Sequence, residues 1–169
     1  MNLVLVGFMG TGKTEVSKEF AERTGMLYFS TDKMIEEREG TSISDIFKEK
    51  GEEYFRKVEK NIVKEISNMD GLVIDAGGGV ILDDENMENL DNSGVVICLK
   101  ARPEVILDRT ENKTDRPLLN VKDKLAKINE ILDSRRIYYD EIEKFIDTSD
   151  LTIDEVIEQV RDIFQSSLG

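Results

Sequence analysis

The stretch LVLVGFMGTGKT at residues 3–14 decides the fold class of this chain. Residues 3–6 are continuously aliphatic, which is typical of a strand that is buried on both faces of a parallel sheet. A complete GxxxxGK[ST] pattern follows at 7–14, and a helical pattern comes after it. This order predicts a phosphate-binding loop, in which backbone N–H groups and a helix N-terminus surround phosphate oxygens. We expect Lys13 to reach the β- and γ-phosphates of a nucleotide and the Thr14 hydroxyl to bind Mg²⁺.

Four further aliphatic runs, at 27–29, 72–74, 95–99 and 144–146, alternate with longer helical patterns. Because connections between parallel strands are right-handed, this alternation predicts a three-layer α/β fold with five parallel strands. Ligands of such sheets bind at the carboxyl ends of the strands. The residues directly after each run are therefore the candidate site residues.

Apolar residues at three- and four-residue spacing predict amphipathic helices between and after these strands. One stripe consists of Phe55, Val58, Ile62, Val63 and Ile66. Another follows the candidate cap Thr152 and consists of Ile153, Val156, Ile157, Val160 and Phe164. A third consists of Leu125, Ile128, Leu132, Arg135 and Tyr139, which places a cation on an apolar face.

The amino-acid composition excludes several classes of partner and of catalytic site. The 169 residues suit one domain, and 36 acidic against 23 basic residues give a net charge of −13, which predicts no nucleic-acid or anionic-membrane partner. No run approaches the roughly 20 apolar residues of a membrane helix, and no basic leader precedes the first strand. The single cysteine, Cys98, lies in an apolar run and fits a reducing cytoplasm. The absence of histidine excludes histidine-based triads and metal sites.

Polar residues follow the second and third aliphatic runs. Asp32 is either the N-cap of the next helix or a group that accepts a proton from a substrate hydroxyl. Asp75 is either an ordinary strand-end aspartate or a carboxylate that holds Mg²⁺ through water. The three glycines at 77–79 either form a simple turn or let a ligand approach the backbone closely.

Two arginines are candidates for anion binding. Arg56 and Glu59 are three residues apart, which suits either a surface ion pair or a pair at the edge of the apolar stripe. Arg135 lies on an apolar stripe, whereas Arg136 points about 100° away. A cation on such a face must be paired, for example with Glu59, or must face a cavity.

A polar segment at 111–119 contains Arg116 and Pro117 and lacks a helical period. It is either an ordinary exposed loop or a lid. Phosphoryl transfer requires that water is excluded and that charge on the transferring oxygens is neutralised, and a lid with Arg116 would do both.

Together these residues resemble the shikimate kinases of the nucleoside-monophosphate-kinase branch of P-loop proteins. The matching motifs are GFMGTGKT at 7–14, TD at 31–32, DIF at 45–47, GEEYFRKVE at 51–59, GGG at 77–79, DRPLL at 115–119 and RRIYY at 135–139. The resemblance spans essentially the whole chain. It implies one domain at 1–169 with strand order 2-3-1-4-5, a substrate-binding region at about 31–60 and a mobile lid at about 111–122.

The resemblance also implies a reaction and its partners. ATP, with Mg²⁺, would phosphorylate the 3-hydroxyl of shikimate, a step of chorismate and aromatic amino-acid biosynthesis, in a cytoplasmic monomer. Catalysis would involve Asp32 as the base, together with Lys13 and Arg116. Substrate would be bound by Asp32, Arg56, Glu59, Arg135, Gly77, Gly78, Gly79, Phe47 and Phe55. In this set Arg56 and Arg135 clamp the carboxylate and Glu59 braces them. Nucleotide would be bound by Gly10, Thr11, Gly12, Lys13, Thr14, Glu15, Arg116, Asp147 and Thr148.

One position departs from the family pattern. Where the family commonly has Asp-Thr-Asp, this chain has Ser30-Thr31-Asp32, so the aspartate that helps to hold the Mg²⁺ hydration shell is missing. We expect Asp75, on the neighbouring strand, to supply that carboxylate.

Two other functions stay open from the sequence. One is another small-molecule kinase, acting on gluconate or a nucleoside monophosphate. The other is a nucleotide-binding module that has lost catalysis, against which the complete set Lys13, Thr14, Asp32 and Arg116 argues.

Overall fold

The computed structural model describes residues 1–112 and 117–169. Its sheet has five parallel strands in the order β2-β3-β1-β4-β5, which confirms the predicted fold class. The strands are β1 Asn2–Gly7, β2 Leu27–Ser30, β3 Leu72–Asp75, β4 Gly94–Lys100 and β5 Phe145–Asp147. The fifth strand begins and ends one residue later than predicted.

Within the described ranges, seven α-helices cover the two faces of the sheet. They are α1 Lys13–Thr24, α2 Thr31–Glu39, α3 Ile43–Ile66, α4 Asp84–Ser93, α5 Pro103–Thr110, α6 Lys124–Asp140 and α7 Ile153–Ser166. Short 3₁₀ turns lie at Val80–Leu82 and Pro117–Leu119. A kink at Gly51, where φ is 84°, divides α3 into two segments.

Both faces of the central strand are buried, which explains why its sequence is continuously aliphatic. Leu3 and Leu5 pack with α1 and α7 on one side of the sheet. Val4 and Val6 pack with α3, α4 and α6 on the other side. Successive side chains of a strand point to opposite faces, so two covered faces require apolar residues at every position.

The predicted helical stripes are largely buried, with differences on α6 and α7. Ile153, which the sequence placed on the apolar stripe of α7, is 49% exposed, because it is the first residue of the helix and precedes the buried part of the stripe. On α6 the stripe contains Ile131, whereas Leu132 is only half-buried. Thr152 caps α7 in a reciprocal capping box with Glu155, as the sequence indicated.

The parallel arrangement brings the loops that follow β1, β2 and β3 to one edge of the sheet. Gly7, Ser30 and Asp75 are the last residues of these strands. None of the helices described in residues 1–112 and 117–169 combines the length and apolar character needed to cross a bilayer.

Candidate active site

The loop between β1 and α1 has the backbone of a phosphate-binding loop. Gly12 precedes α1 with φ 96°, a value that L-residues with side chains rarely adopt. Lys13 is 8% exposed, and its Nζ donates to the carbonyls of Gly7 at 2.8 Å and Phe8 at 3.1 Å. These bonds hold the Lys13 ammonium group against the loop that precedes it. Its positive charge therefore lies where phosphate oxygens would bind.

A cavity of about 380 Å³ opens beside this loop at the carboxyl edge of the sheet. It brings together most of the residues that the sequence singled out. Those that line it are Gly10, Gly12, Lys13, Thr14, Glu15, Asp32, Phe47, Phe55, Arg56, Glu59, Asp75, Gly77, Gly78, Gly79 and Arg135. Residues from α1, α2, α3 and α6 therefore meet around one space.

Asp32 lies in the first turn of α2, but it is not the helix cap. The cap is Ser30, whose hydroxyl accepts from the Lys33 amide at 3.3 Å. Capping therefore does not explain the carboxylate of Asp32, which lies in the wall of the cavity. Its Oδ1 would be 2.5 Å from a Cβ atom built on Gly77.

The Arg56–Glu59 pair faces the cavity and is not a solvated surface pair. Arg56 Nη1 donates to Glu59 Oε1 at 2.8 Å, and the Glu59 side chain is 1% exposed. The guanidinium also lies 5.1 Å from the centre of the Phe55 ring, which in turn packs on Phe47 with ring centroids 4.8 Å apart. The Phe55 ring and a buried carboxylate thus hold one cation at the cavity wall, and Phe47 supports the ring.

Burial raises the pKa of Glu59 to about 7. The Arg56 charge opposes this increase, whereas the nearby Asp32 charge adds to it. Glu59 Oε2 is buried and has no hydrogen-bond partner within the described part of the chain. Glu59 is therefore a carboxyl group that titrates near neutral pH in a chain without histidine.

Arg135 reaches the cavity from α6 and is 5% exposed. Its Nη1 donates to the carbonyl of Gly78 at 3.0 Å, and its guanidinium lies 6.0 Å from the Phe8 ring centre. The Arg136 side chain points away from the stripe and is 70% exposed, as the helical spacing predicted, and it pairs with Asp133. Arg135 accordingly joins the phosphate-loop side of the cavity to the three glycines.

The glycines at 77–79 leave room for charged side chains. A Cβ atom on Gly79 would overlap the Arg56 guanidinium, and one on Gly77 would press on Asp32. The Gly77 amide donates to the Thr31 hydroxyl at 2.8 Å, which ties this segment to α2. The sequence left open a simple turn or close approach by a ligand, and the structure shows close approach by the side chains of the site itself.

Asp75 contacts the phosphate-binding loop directly. Its Oδ2 accepts from the Thr14 hydroxyl at 2.7 Å and from the Tyr28 hydroxyl at 3.2 Å. The side chain is largely buried at the end of β3, beside Ser30 in the strand register. Tyr28 also lines the cavity, and sequence reasoning missed it because an aromatic residue in an edge strand has an ordinary packing role.

The predicted nucleotide residues Asp147, Thr148 and Thr11 do not line this cavity. Thr148 is 2% exposed, and its hydroxyl donates to the Thr11 carbonyl at 2.9 Å, so the loop after β5 is fastened to the phosphate-binding loop. Arg109 strengthens the link by donating to the carbonyls of Gly10 at 3.2 Å and Thr148 at 2.9 Å. Sequence reasoning missed Arg109, and its only signal was a basic residue in the last turn of the helix that follows β4.

Arg116 lies outside the described residues, so its predicted place in a lid is not examined by the structure. Leu118, two residues further on, lines the cavity from the turn Pro117–Leu119.

A phosphate-binding loop next to a cavity with a carboxylate and two arginines defines a P-loop phosphotransferase for a small anionic acceptor. Comparison with known proteins gives the family. A model of the shikimate kinase family matches residues 9–165, and the chain belongs to that family. It is therefore a kinase that uses ATP to phosphorylate the 3-hydroxyl of shikimate, a step of chorismate and aromatic amino-acid biosynthesis.

The relatives agree over almost the whole chain. The shikimate kinase of Caldanaerobacter subterraneus subsp. tengcongensis is 48% identical over 159 residues, which cover 94% of this chain and 93% of the relative. The structure of shikimate kinase from Acinetobacter baumannii in complex with shikimate is 33% identical, with a TM-score of 0.93, and covers 98% of this chain and 93% of that one. A gluconokinase from Sinorhizobium meliloti has a TM-score of 0.64 at 14% identity, covering 98% of this chain and 91% of that one, which is a likeness of fold alone.

Proposed function

We propose that Asp32 is the base of the phosphoryl transfer and that Arg56 and Arg135 bind the substrate carboxylate. The observation that supports this assignment is the placement of all three in the wall of one cavity next to Lys13. A planar guanidinium suits a carboxylate because it donates two parallel hydrogen bonds. With the carboxylate fixed on the arginines, the ring hydroxyls of shikimate would extend towards Asp32 and the phosphate-binding loop.

In the proposed reaction the 3-hydroxyl oxygen attacks the γ-phosphorus of ATP. The bond from that phosphorus to the β-phosphate oxygen breaks, ADP leaves, and the hydroxyl proton passes to Asp32. Lys13 would move from its loop carbonyls to the β- and γ-phosphates and stabilise the charge that develops there. The amides of Gly10 and Gly12 would surround the same phosphates.

Glu59, Phe47 and Phe55 position the carboxylate clamp. Glu59 holds Arg56 by an ion pair, the Phe55 ring lies beside that guanidinium, and Phe47 packs on Phe55. The backbone of residues 77–79 would contact the substrate hydroxyls. Asp147 and Thr148 would shape the adenine side of the nucleotide site, and Glu15 would lie at its exposed edge.

The site has the chemistry that Mg²⁺ requires. Mg²⁺ in kinases is held by one or two protein oxygens together with phosphates and water. Thr14 and Asp75 supply a hydroxyl and a carboxylate in direct contact at the edge of the cavity. Mg²⁺ bound there would neutralise charge on the β- and γ-phosphate oxygens.

The remaining proposals concern the domain organisation, the oligomeric state and the location of the protein. We infer one domain over 1–169, with a substrate-binding region at about 31–60 and a lid at about 111–122 that includes Arg116. We also infer a cytoplasmic monomer. Cys98 is buried as a free thiol, and the large exposed apolar residues come from separate elements, namely Met1, Leu27, Met69, Val121, Ile137, Phe145, Ile153 and Leu168.

The neighbouring arginines of α6 provide a matched test of the clamp. Arg135→Lys keeps the charge but removes the planar pair of donors, so we expect the KM for shikimate to rise about tenfold or more. The KM for ATP should change little. Arg136→Lys is the control, because its side chain faces solvent.

The two variants are compared by steady-state kinetics with each substrate varied in turn. Equal effects of the two substitutions on the KM for shikimate would contradict the clamp. An effect of Arg135→Lys on the KM for ATP alone would assign this arginine to the nucleotide.

A further inference from the structure

Resting on the proposed Mg²⁺ site, we propose that Tyr28 is a positioning residue that fixes Asp75, and that Asp75 acts on the metal through the Thr14 hydroxyl and a metal-bound water. The arrangement places a carboxylate in the strand next to β1, and a tyrosine from the edge strand holds it.

The strand order sets the position of this carboxylate. Asp75 pairs in register with Ser30 on one side and with Leu5 on the other. Strand β3 lies between β2 and β1, so Asp75 is one strand closer to the phosphate-binding loop than residue 30 is. Ser30 uses its hydroxyl to cap α2 and offers no carboxylate. Asp75 is thus the acidic residue at the strand ends that touches the loop hydroxyl.

The hydrogen bonds show how Asp75 can assist without being a direct ligand. Thr14 donates its hydroxyl proton to Asp75 Oδ2 at 2.7 Å, which leaves the lone pairs of the Thr14 oxygen available for a metal. A carboxylate that accepts a hydrogen bond from a metal-ligating group orients that group and makes it a stronger ligand. The second oxygen of Asp75 can accept from a metal-bound water.

Tyr28 fixes the orientation of this carboxylate. It lies two residues before Ser30 and therefore points to the same face of the sheet as Ser30 and Asp75. Its hydroxyl donates to the same Oδ2 atom at 3.2 Å. A phenol hydroxyl keeps its proton at neutral pH, so Tyr28 is a donor in this bond. Removal of this donor would let Asp75 rotate.

The composition of the site is consistent with a Mg²⁺ ion that has few ligands from the protein. The described residues contain no group of three or more acidic or cysteine side chains that could hold a metal ion. A Mg²⁺ bound mainly by phosphates and water, with one protein hydroxyl as a ligand and one carboxylate acting through water, needs no such group.

The test measures metal affinity, separate from catalysis. Mn²⁺ is titrated into the protein–ADP complex, and free Mn²⁺ is followed by electron paramagnetic resonance. We expect Asp75→Asn to weaken Mn²⁺ binding by about 10- to 100-fold and Tyr28→Phe by a smaller factor above about threefold. Affinity for ADP without metal should not fall in either variant, since both substitutions leave the phosphate-binding backbone intact and Asp75→Asn removes a negative charge beside the phosphates.

Two further variants complete the design. Tyr54→Phe is the matched control, because its hydroxyl bonds to Glu39 away from the metal and should leave Mn²⁺ affinity unchanged. Ser30→Asp in the Asp75→Asn background should restore part of the affinity, since it returns a carboxylate to the register partner.

The proposal is overturned if folded Tyr28→Phe or Asp75→Asn protein binds Mn²⁺ within twofold of the unsubstituted chain. It is also overturned if Tyr54→Phe weakens Mn²⁺ as much as Tyr28→Phe. Thermal melting establishes folding, and if Asp75→Asn does not fold, Tyr28→Phe decides alone. The readout needs no acceptor, so a failure here is distinguishable from a failure to phosphorylate shikimate.

Discussion

Asp32 occupies the first turn of α2, opposite the backbone of Gly77, while Ser30 caps the helix. Two roles that the sequence could not separate are therefore divided between two residues. The capping role belongs to Ser30, and Asp32 lies in the wall of the cavity.

Substitution of Asp32 tests its role as the base. We expect Asp32→Asn to lower kcat by about 10²-fold or more, because general-base catalysis contributes about 10²- to 10⁴-fold. The melting temperature should change little, since Ser30 remains as the cap. Glu37→Gln is the control, because Glu37 is an exposed carboxylate on the same helix. Near-full activity of Asp32→Asn in a coupled assay would remove Asp32 from the role of base.

The raised pKa of Glu59 predicts that the free energy of unfolding depends on pH in an unusual way. Its folded pKa of about 7 lies above the ordinary value of 4.5, so the folded state keeps a proton that the unfolded state releases. The contribution of Glu59 to stability is therefore full below about pH 4.5 and is lost as the pH rises through about 7. Glu59→Gln should remove this decline in a series of urea unfolding curves.

The control is Glu53→Gln, because that side chain is 90% exposed on the same helix. A decline between pH 4.5 and 7 that persists in Glu59→Gln would assign it to another group. The same pKa bears on catalysis, because Glu59 can contribute a rate change near neutral pH in a chain without histidine.

At the scale of elements, the segment at 77–79 connects β3 to the charged wall of the cavity. Its glycines have different neighbours, which allows their roles to be separated. We expect Gly77→Ala to displace Asp32 and to act mainly on kcat, and Gly79→Ala to displace Arg56 and to act mainly on the KM for shikimate.

Each glycine variant is the control for the other. We expect about tenfold effects, because a displaced guanidinium or carboxylate loses at least one charge-assisted hydrogen bond. Kinetics with shikimate and ATP varied separately give the comparison. Identical profiles for the two variants, or activity like that of the unsubstituted chain, would contradict this account of the segment.

The elements also show what sequence reasoning can and cannot reach. Apolar runs placed the strands to within a residue. In β1, β3 and β4 the reason is burial on both faces, which leaves little choice of side chain, whereas β2 and β5 are edge strands with exposed residues. Helical spacing predicted that Arg135 lies on the apolar face of its helix and that Arg136 points away from it. The Arg109–Thr148 link and the Tyr28–Asp75 bond were missed, because the residues that they join are 39 and 47 positions apart and neither pair forms a motif.

The position of Ile153 shows another limit. Periodicity places a residue on a helical face, but not at the end of a helix where that face is no longer covered. Helix ends are set by capping geometry and by contacts to distant elements, which a local pattern does not contain.

At the scale of the whole molecule, the net charge of −13 opposes the binding of anions such as MgATP and shikimate. Attraction must therefore come from local cations. Lys13, Arg56 and Arg135 gather around one cavity at the carboxyl edge of the sheet, where the phosphate-facing amides of α1 also point. The attraction between each of these cations and a bound anion is stronger in the cavity wall than in water, because dielectric screening is weaker there.

The central claim is that this cavity binds shikimate and transfers a phosphoryl group to it, and the most direct measurement is ADP release with different acceptors. The unsubstituted protein is assayed with saturating MgATP and with shikimate, gluconate or AMP in parallel. We predict acceptor-dependent ADP release with shikimate and only background rates with gluconate and AMP. Faster turnover of gluconate or AMP, or nucleotide binding with no acceptor-dependent ADP release, would contradict the account.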